Sequence, residues 1–70
     1  MKRRDIIKAI RTEAKRQDVE WSVLREGANH TVYRLGSTRI PVPRHNEIGP
    51  GLTEQIFSET EAELGRRWWR

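Results

Sequence analysis

The 70-residue chain has no cysteine, which excludes a disulfide framework, a thiolate metal site and a cysteine nucleophile. It also has no apolar run near the roughly 20 residues that a membrane-spanning helix needs. Its start, Met1-Lys2-Arg3-Arg4-Asp5, leads into no apolar signal-peptide region, so a cytoplasmic protein without a membrane partner is the expectation. Acidic residues are missing from 27 to 46, which carry three arginines, and basic residues are missing from 47 to 65, which hold five glutamates. Residues 1 to 17 add seven basic and two acidic groups, and 66 to 70 add three arginines, within a net charge of +4. A polyanion would therefore meet one part of the surface and avoid another.

Chains below roughly 70 to 80 residues seldom gain more than a few kcal/mol from one core, so residues 1–70 are expected to form a single domain ending in a basic aromatic tail, 66–70. From Arg4 to Gln17, Ile6, Ile7, Ala9, Ile10 and Ala14 recur at helical spacing. Val19, Trp21 and Val23 then alternate with polar residues as a half-buried strand, closed by Gly27. A second strand spans His30 to Leu35, Gly36-Ser37 supplies a hairpin turn, and Thr38, Ile40 and Val42 mark a third strand. Pro41 places that third strand at a sheet edge, because it lacks the amide a central strand uses. After the breaker cluster Ile48-Gly49-Pro50-Gly51, a helical stripe of Leu52, Ile56, Phe57 and Leu64 stops at Gly65. The order predicts an α+β fold, α-β-β-β-α, with both helices on one face of a three-stranded antiparallel sheet and the other face open to a partner.

Only two histidines are present, in Gly27-Ala28-Asn29-His30 and in Pro43-Arg44-His45. Histidine gives and takes protons near neutrality, and arginine offers a fixed fork to phosphate oxygens, so these motifs together suit a small ribonuclease. The carboxylates cluster on the second helix, away from both histidine motifs, and no spacing resembles a coordination set. No metal and no cofactor are expected.

In order along the chain, Lys2-Arg3-Arg4-Asp5-Ile6-Ile7, Trp21 and Val23 before the glycine turn, Gly27-Ala28-Asn29-His30, and Val42-Pro43-Arg44-His45 resemble the HicA family over roughly residues 2 to 57. That family comprises messenger-RNA interferases, the toxins of type II toxin-antitoxin systems. The resemblance implies a double-stranded-RNA-binding-domain-like fold, endoribonuclease activity, His30 as the catalytic histidine, and a HicB-like antitoxin as protein partner. Three departures accompany it. Ala28 stands where the family usually has serine. Glu54, Glu59, Glu61 and Glu63 make the second helix acidic where the family's is often basic, so RNA is expected to avoid it. The family's glycine between the first helix and first strand is absent.

RNA carries its own nucleophile, the 2′-hydroxyl, so cleavage needs a proton acceptor, charge stabilisation at phosphorus and a proton for the departing 5′-oxygen. His30 is the candidate general acid or base. Arg44 and Arg34 are candidates for phosphate binding, and His45 either completes the proton transfer or caps a rigid strand end. Lys8, Arg11 and Lys15 share one helical face and are candidate phosphate contacts; Arg34 and Arg39 are either phosphate contacts or a solvated strand face. Gly27, at a turn taken to need positive φ, and Asn29, a residue favoured in such turns, are expected to aim His30. Trp21 reads as core, and Tyr33 either as core or as a stacking platform on the open face. Trp68-Trp69 are expected to fold back on the domain. Two further readings remain at this point: a non-catalytic RNA-binding module, and a protein-interaction adaptor docking through the acidic helix and the tail.

Overall fold

Ile6, Ile10 and Ala14, spaced four residues apart, are fully buried on one side of α1, Arg3–Arg16, in the computed structural model, which describes residues 1–70. Lys8, Arg11 and Lys15 are exposed on its outer surface. Asp5 lies in the first turn and Lys15 and Arg16 in the last, where each charge suits the helix dipole. The C-terminus closes as a Schellman motif. The Val19 N–H donates to the Ala14 carbonyl at 2.8 Å and the Asp18 N–H to the Lys15 carbonyl at 3.2 Å. Asp18, at φ 60°, fills the left-handed position that glycine usually takes. Because Val19 is spent on this cap, the first strand begins later than its alternation suggests, at Trp21.

Strands β1, Trp21–Glu26, β2, His30–Leu35, and β3, Thr38–Pro43, form an antiparallel meander in the order β1-β2-β3. Leu35 pairs with Thr38 across a two-residue turn in which Gly36 alone has positive φ, 59°, the pattern of a type II′ hairpin. β3 is an edge strand, as Pro41 requires. The β1–β2 register shifts between Val23 and Arg25, a bulge beside which Val23 is exposed instead of half-buried, as is Leu24 next to it. The second helix, α2, spans Pro50–Leu64; it starts two residues before Leu52 because the fixed φ of Pro50 suits a first helical turn.

Cross-strand pairs Leu35–Thr38, Tyr33–Ile40 and Thr31–Val42 lie on the face that the helices cover. Ile6, Ile10 and Ala14 meet Leu35, Ile40 and Val42 there, with Ile56, Phe57 and Leu64 closing the core from α2. Tyr33 is on this covered face, stacked on Trp21 with ring centres 4.4 Å apart, so it is no platform on the open one. α2 runs antiparallel along β3. Near its C-terminal end Glu63 accepts a hydrogen bond from the Thr38 hydroxyl at 2.7 Å, and near its start Leu52 lies beside Pro43. The opposite face of the sheet carries Arg25, His30, Val32, Arg34, Arg39 and Pro41.

The tail folds back as expected. Trp68 and Trp69 each place a ring 5.5 Å from Phe57, one edge-on and one stacked, and the Trp68 indole N–H donates to the Thr60 hydroxyl at 2.6 Å. Arg70 pairs with Glu54 at 3.0 Å and caps the Trp69 ring. No helix is long and apolar enough to cross a membrane.

Candidate functional site

His30 is the first residue of β2, opposite Pro43 of β3, so the glycine turn and the strand pairing fix its backbone together. Of the glycines only Gly36 and Gly65 have positive φ; Gly27 does not, and neither does Asn29. The expected left-handed turn is thus replaced by a different requirement. A β-carbon at Gly27 would lie 3.1 Å from the His30 carbonyl oxygen, which already accepts the Gly27 N–H at 2.8 Å. Close approach, not helical handedness, favours glycine there. The Asn29 carbonyl accepts the Arg44 N–H at 3.1 Å and so ties the end of β3 to the turn before His30.

His45 sits in the loop after β3, and the chain start holds that loop. The Met1 and Ile48 backbones exchange two hydrogen bonds of 2.8 Å, and the Arg3 N–H donates to Asn46 at 2.9 Å. These contacts bring His45 to the same cleft as His30. The cleft, about 300 Å³, is walled by Pro41, Pro43, Leu52 and Ile56, with His30, His45, Gln55 and Glu59 as its polar lining. Leu52, Gln55, Ile56 and Glu59 follow the three- and four-residue spacing of one helical face. Their helix packs on β3, so the acidic helix is not separated from the histidine motifs, contrary to expectation: Glu59 shares their cleft. None of the four polar side chains has a hydrogen-bond partner within the fold, as the side-chain bonds of α2 involve Thr53, Glu54, Thr60, Glu61 and Glu63.

Arg44 is adjacent to His45 but does not line this cleft. Its guanidinium pairs with Glu26 at 2.5 Å. Glu26 also accepts the Thr31 hydroxyl at 2.9 Å, and Arg3 donates to Thr31 at 3.0 Å and to the Pro43 carbonyl at 2.9 Å. Nothing in the Lys2-Arg3-Arg4 run sets Arg3 apart, yet it joins α1 to β2 and β3 at the base of the site. Only its neighbours' exposure distinguishes it, which no sequence pattern displays. The Arg44–Glu26 pair is 44% and 59% exposed, so it is weak and can exchange for another anion.

The remaining basic residues divide between two sides of the sheet. Arg34 and Arg39 stand directly opposite each other on the open face, and Arg25 and Arg39 border a shallow depression with Leu24 and Val32. Like charges in a cross-strand pair repel, a cost that a bound polyanion would relieve. His30, Val32 and Arg34 alternate along β2 on this same face, so a basic surface leads to the histidine cleft. Lys8 and Arg11 line a groove with Arg3 and Arg4 on α1, and Lys15 continues along that helix. α1 covers the other face, so the sheet separates this basic surface from Arg34 and Arg39. No group of three or more His, Asp or Glu side chains is disposed to hold a metal ion. Compared with known proteins, the chain matches no family model, no curated protein and no solved structure.

Proposed function

We propose that this protein is a metal-independent endoribonuclease acting on messenger RNA, the toxin of a HicA-type toxin-antitoxin pair in the cytoplasm, with a HicB-like protein as inhibitor. The observation that carries the reading is the cleft in which both histidines lie, free of internal partners, at the end of a basic sheet face. One imidazole takes the proton of the 2′-hydroxyl as that oxygen attacks the adjacent phosphorus. The other imidazole protonates the 5′-oxygen as its bond to phosphorus breaks. The products are a 2′,3′-cyclic phosphate and a free 5′-hydroxyl. Arg34 and Arg39 hold the backbone upstream of the cut, and Arg44 reaches phosphate by releasing Glu26.

Incubation of the purified protein with single-stranded RNA in excess EDTA tests the reading, with product ends identified. Cleavage to cyclic-phosphate ends is expected, and His30→Ala should lower the rate at least about 10²-fold while the fold survives. Cleavage that requires added magnesium, or that leaves 5′-phosphate ends, sinks the mechanism. RNA binding with no cleavage by wild type would replace it with a non-catalytic RNA-binding module. The adaptor reading, which docks through the acidic helix and the tail, draws less support, since Trp68 and Trp69 each pack a ring on Phe57 of their own domain.

A further inference from the structure

α2 carries four glutamates, and three are consumed inside the fold. Glu54 accepts from Arg70, Glu61 from the Arg67 N–H and Glu63 from Ser37 and Thr38. Glu59 has no partner, and it lies half-buried in the histidine cleft beside Gln55, which has none either. A carboxylate in this place is a poor neighbour for a phosphate. It is a good one for a group that presents two adjacent N–H donors. The cleft walls nearby, Pro41, Pro43 and Leu52, are flat or apolar and suit the faces of an aromatic ring.

We propose that Gln55 and Glu59 form a nucleobase subsite that selects guanine next to the scissile phosphate, a specificity that rests on the ribonuclease reading. Among the four RNA bases only guanine has two neighbouring donors, N1–H and N2–H, on its Watson–Crick edge, and the two oxygens of Glu59 accept both. The Gln55 amide donates to O6 on the same edge. Adenine would set the N1 lone pair against the carboxylate. Cytosine would do so with N3, and uracil offers one donor between two acceptors. Reading an unstacked base on this edge is the usual route to sequence preference in single-stranded RNA. A base held here places its ribose and 3′-phosphate at His30 and His45, while the RNA backbone keeps to the basic sheet face and avoids the carboxylate.

Titration of the isotope-labelled full chain with the 3′-mononucleotides, followed by amide chemical shifts, tests the subsite without requiring cleavage. 3′-GMP is expected to bind about 10- to 100-fold more tightly than 3′-AMP, 3′-CMP or 3′-UMP, the discrimination a bidentate contact gives. Its shifts should fall on residues 52 to 59 together with 30, 44 and 45. 3′-IMP, which lacks the N2 amino group, should bind between the two levels, and Glu59→Gln should bring 3′-GMP down to the level of 3′-AMP. Equal binding of all nucleotides, shifts confined to α1, or a guanine preference that persists in Glu59→Gln would each overturn the assignment. Assays on oligonucleotides containing one ribonucleotide separate it from the reading beneath it. Cleavage with no base preference, abolished in Glu59→Gln, would make Glu59 a general base and end the guanine subsite alone. Selective 3′-GMP binding with no cleavage of any substrate would support the subsite and end the ribonuclease reading alone.

Discussion

Among the polar side chains of α2, Glu54, Glu61 and Glu63 are each tied to the tail or the β2–β3 turn, and Thr60 receives the Trp68 indole. Gln55 and Glu59 instead line the histidine cleft without a partner. One helix thus serves both as a strut, through its tied side chains, and as a wall of the site, through its free ones. The contrast separates residues whose loss costs stability from residues whose loss costs function. In a domain with so small a core, polar groups with internal partners fix the chain, and those left free are available to a ligand.

The strongest way to break this comparison is to exchange the expected effects of Phe57 and His45. Phe57 is 4% exposed and carries both tail tryptophans, so Phe57→Ala removes an aromatic of the core that also anchors the tail. Such truncations cost about 3 to 5 kcal/mol, comparable to the whole net stability of a domain this size. Chemical denaturation should therefore find the variant largely unfolded at 37 °C. His45 is exposed and makes no side-chain hydrogen bond, so His45→Ala should shift stability by no more than about 0.5 kcal/mol. RNA cleavage should nonetheless fall at least about tenfold. A stable Phe57→Ala variant, or a His45→Ala variant that unfolds, would erase the distinction between residues tied into the fold and residues left free.

The strut was more legible in the sequence than the wall. Apolar periodicity marks Ile6, Ile10, Ile56 and Phe57 because core contacts repeat with the geometry of the helix. Pro41 and Gly36 mark an edge and a turn because few other conformations suit them. Charge composition misleads at Glu59, since a run of glutamates reads as one acidic block and the identity of each partner depends on residues up to 26 positions away, as with Glu63 and Ser37. Arg44 misleads in the same way: its place beside His45 suggests one site, yet alternation at the strand end turns the two side chains apart and Glu26 takes the guanidinium. Gly27 shows that the right residue can be marked for the wrong reason, a backbone contact standing in for positive φ.

The two basic surfaces invite a sharper division, of intermediate size. If RNA runs along the open face to the histidines, replacing Arg34 and Arg39 by glutamine removes two phosphate contacts. The slope of log affinity against log salt should then fall by roughly 1.4, at about 0.7 per contact on a single strand. Lys8, Arg11 and Lys15 neutralised together should change it less, because the sheet stands between them and the cleft. Fluorescence titrations at several salt concentrations decide the matter, and the reverse ranking would move the RNA to α1.

A smaller effect is expected at Asp18, where a side chain occupies a left-handed position. The Schellman hydrogen bonds need that φ, and glycine meets it without the β-carbon penalty. Asp18→Gly should stabilise the domain by about 1 kcal/mol, a rise of roughly 4 to 8 °C in Tm, with cleavage unaltered. A lower Tm would mean that the Asp18 carboxylate contributes more than its backbone costs.

The smallest effect concerns the strut's junction with α1. Arg16 donates two hydrogen bonds to Glu13, at 3.0 and 2.5 Å, and Gln17 donates to Glu13 at 2.6 Å and to the Leu64 carbonyl at 2.8 Å. The Arg16 and Gln17 hydrogen bonds, helped by the charge of Arg16, hold the Glu13 carboxyl at about 2, below its usual 4.5. A depressed acid contributes stability above its unfolded value and loses it as pH falls toward the folded one. The contribution is therefore complete above pH 4.5 and fades between about 4.5 and 2. Solvent around the exposed Arg16 keeps it small. Thermal melts across that window should show a shallower decline for Glu13→Gln than for wild type, and parallel curves would show that the junction adds nothing to the attachment of α2.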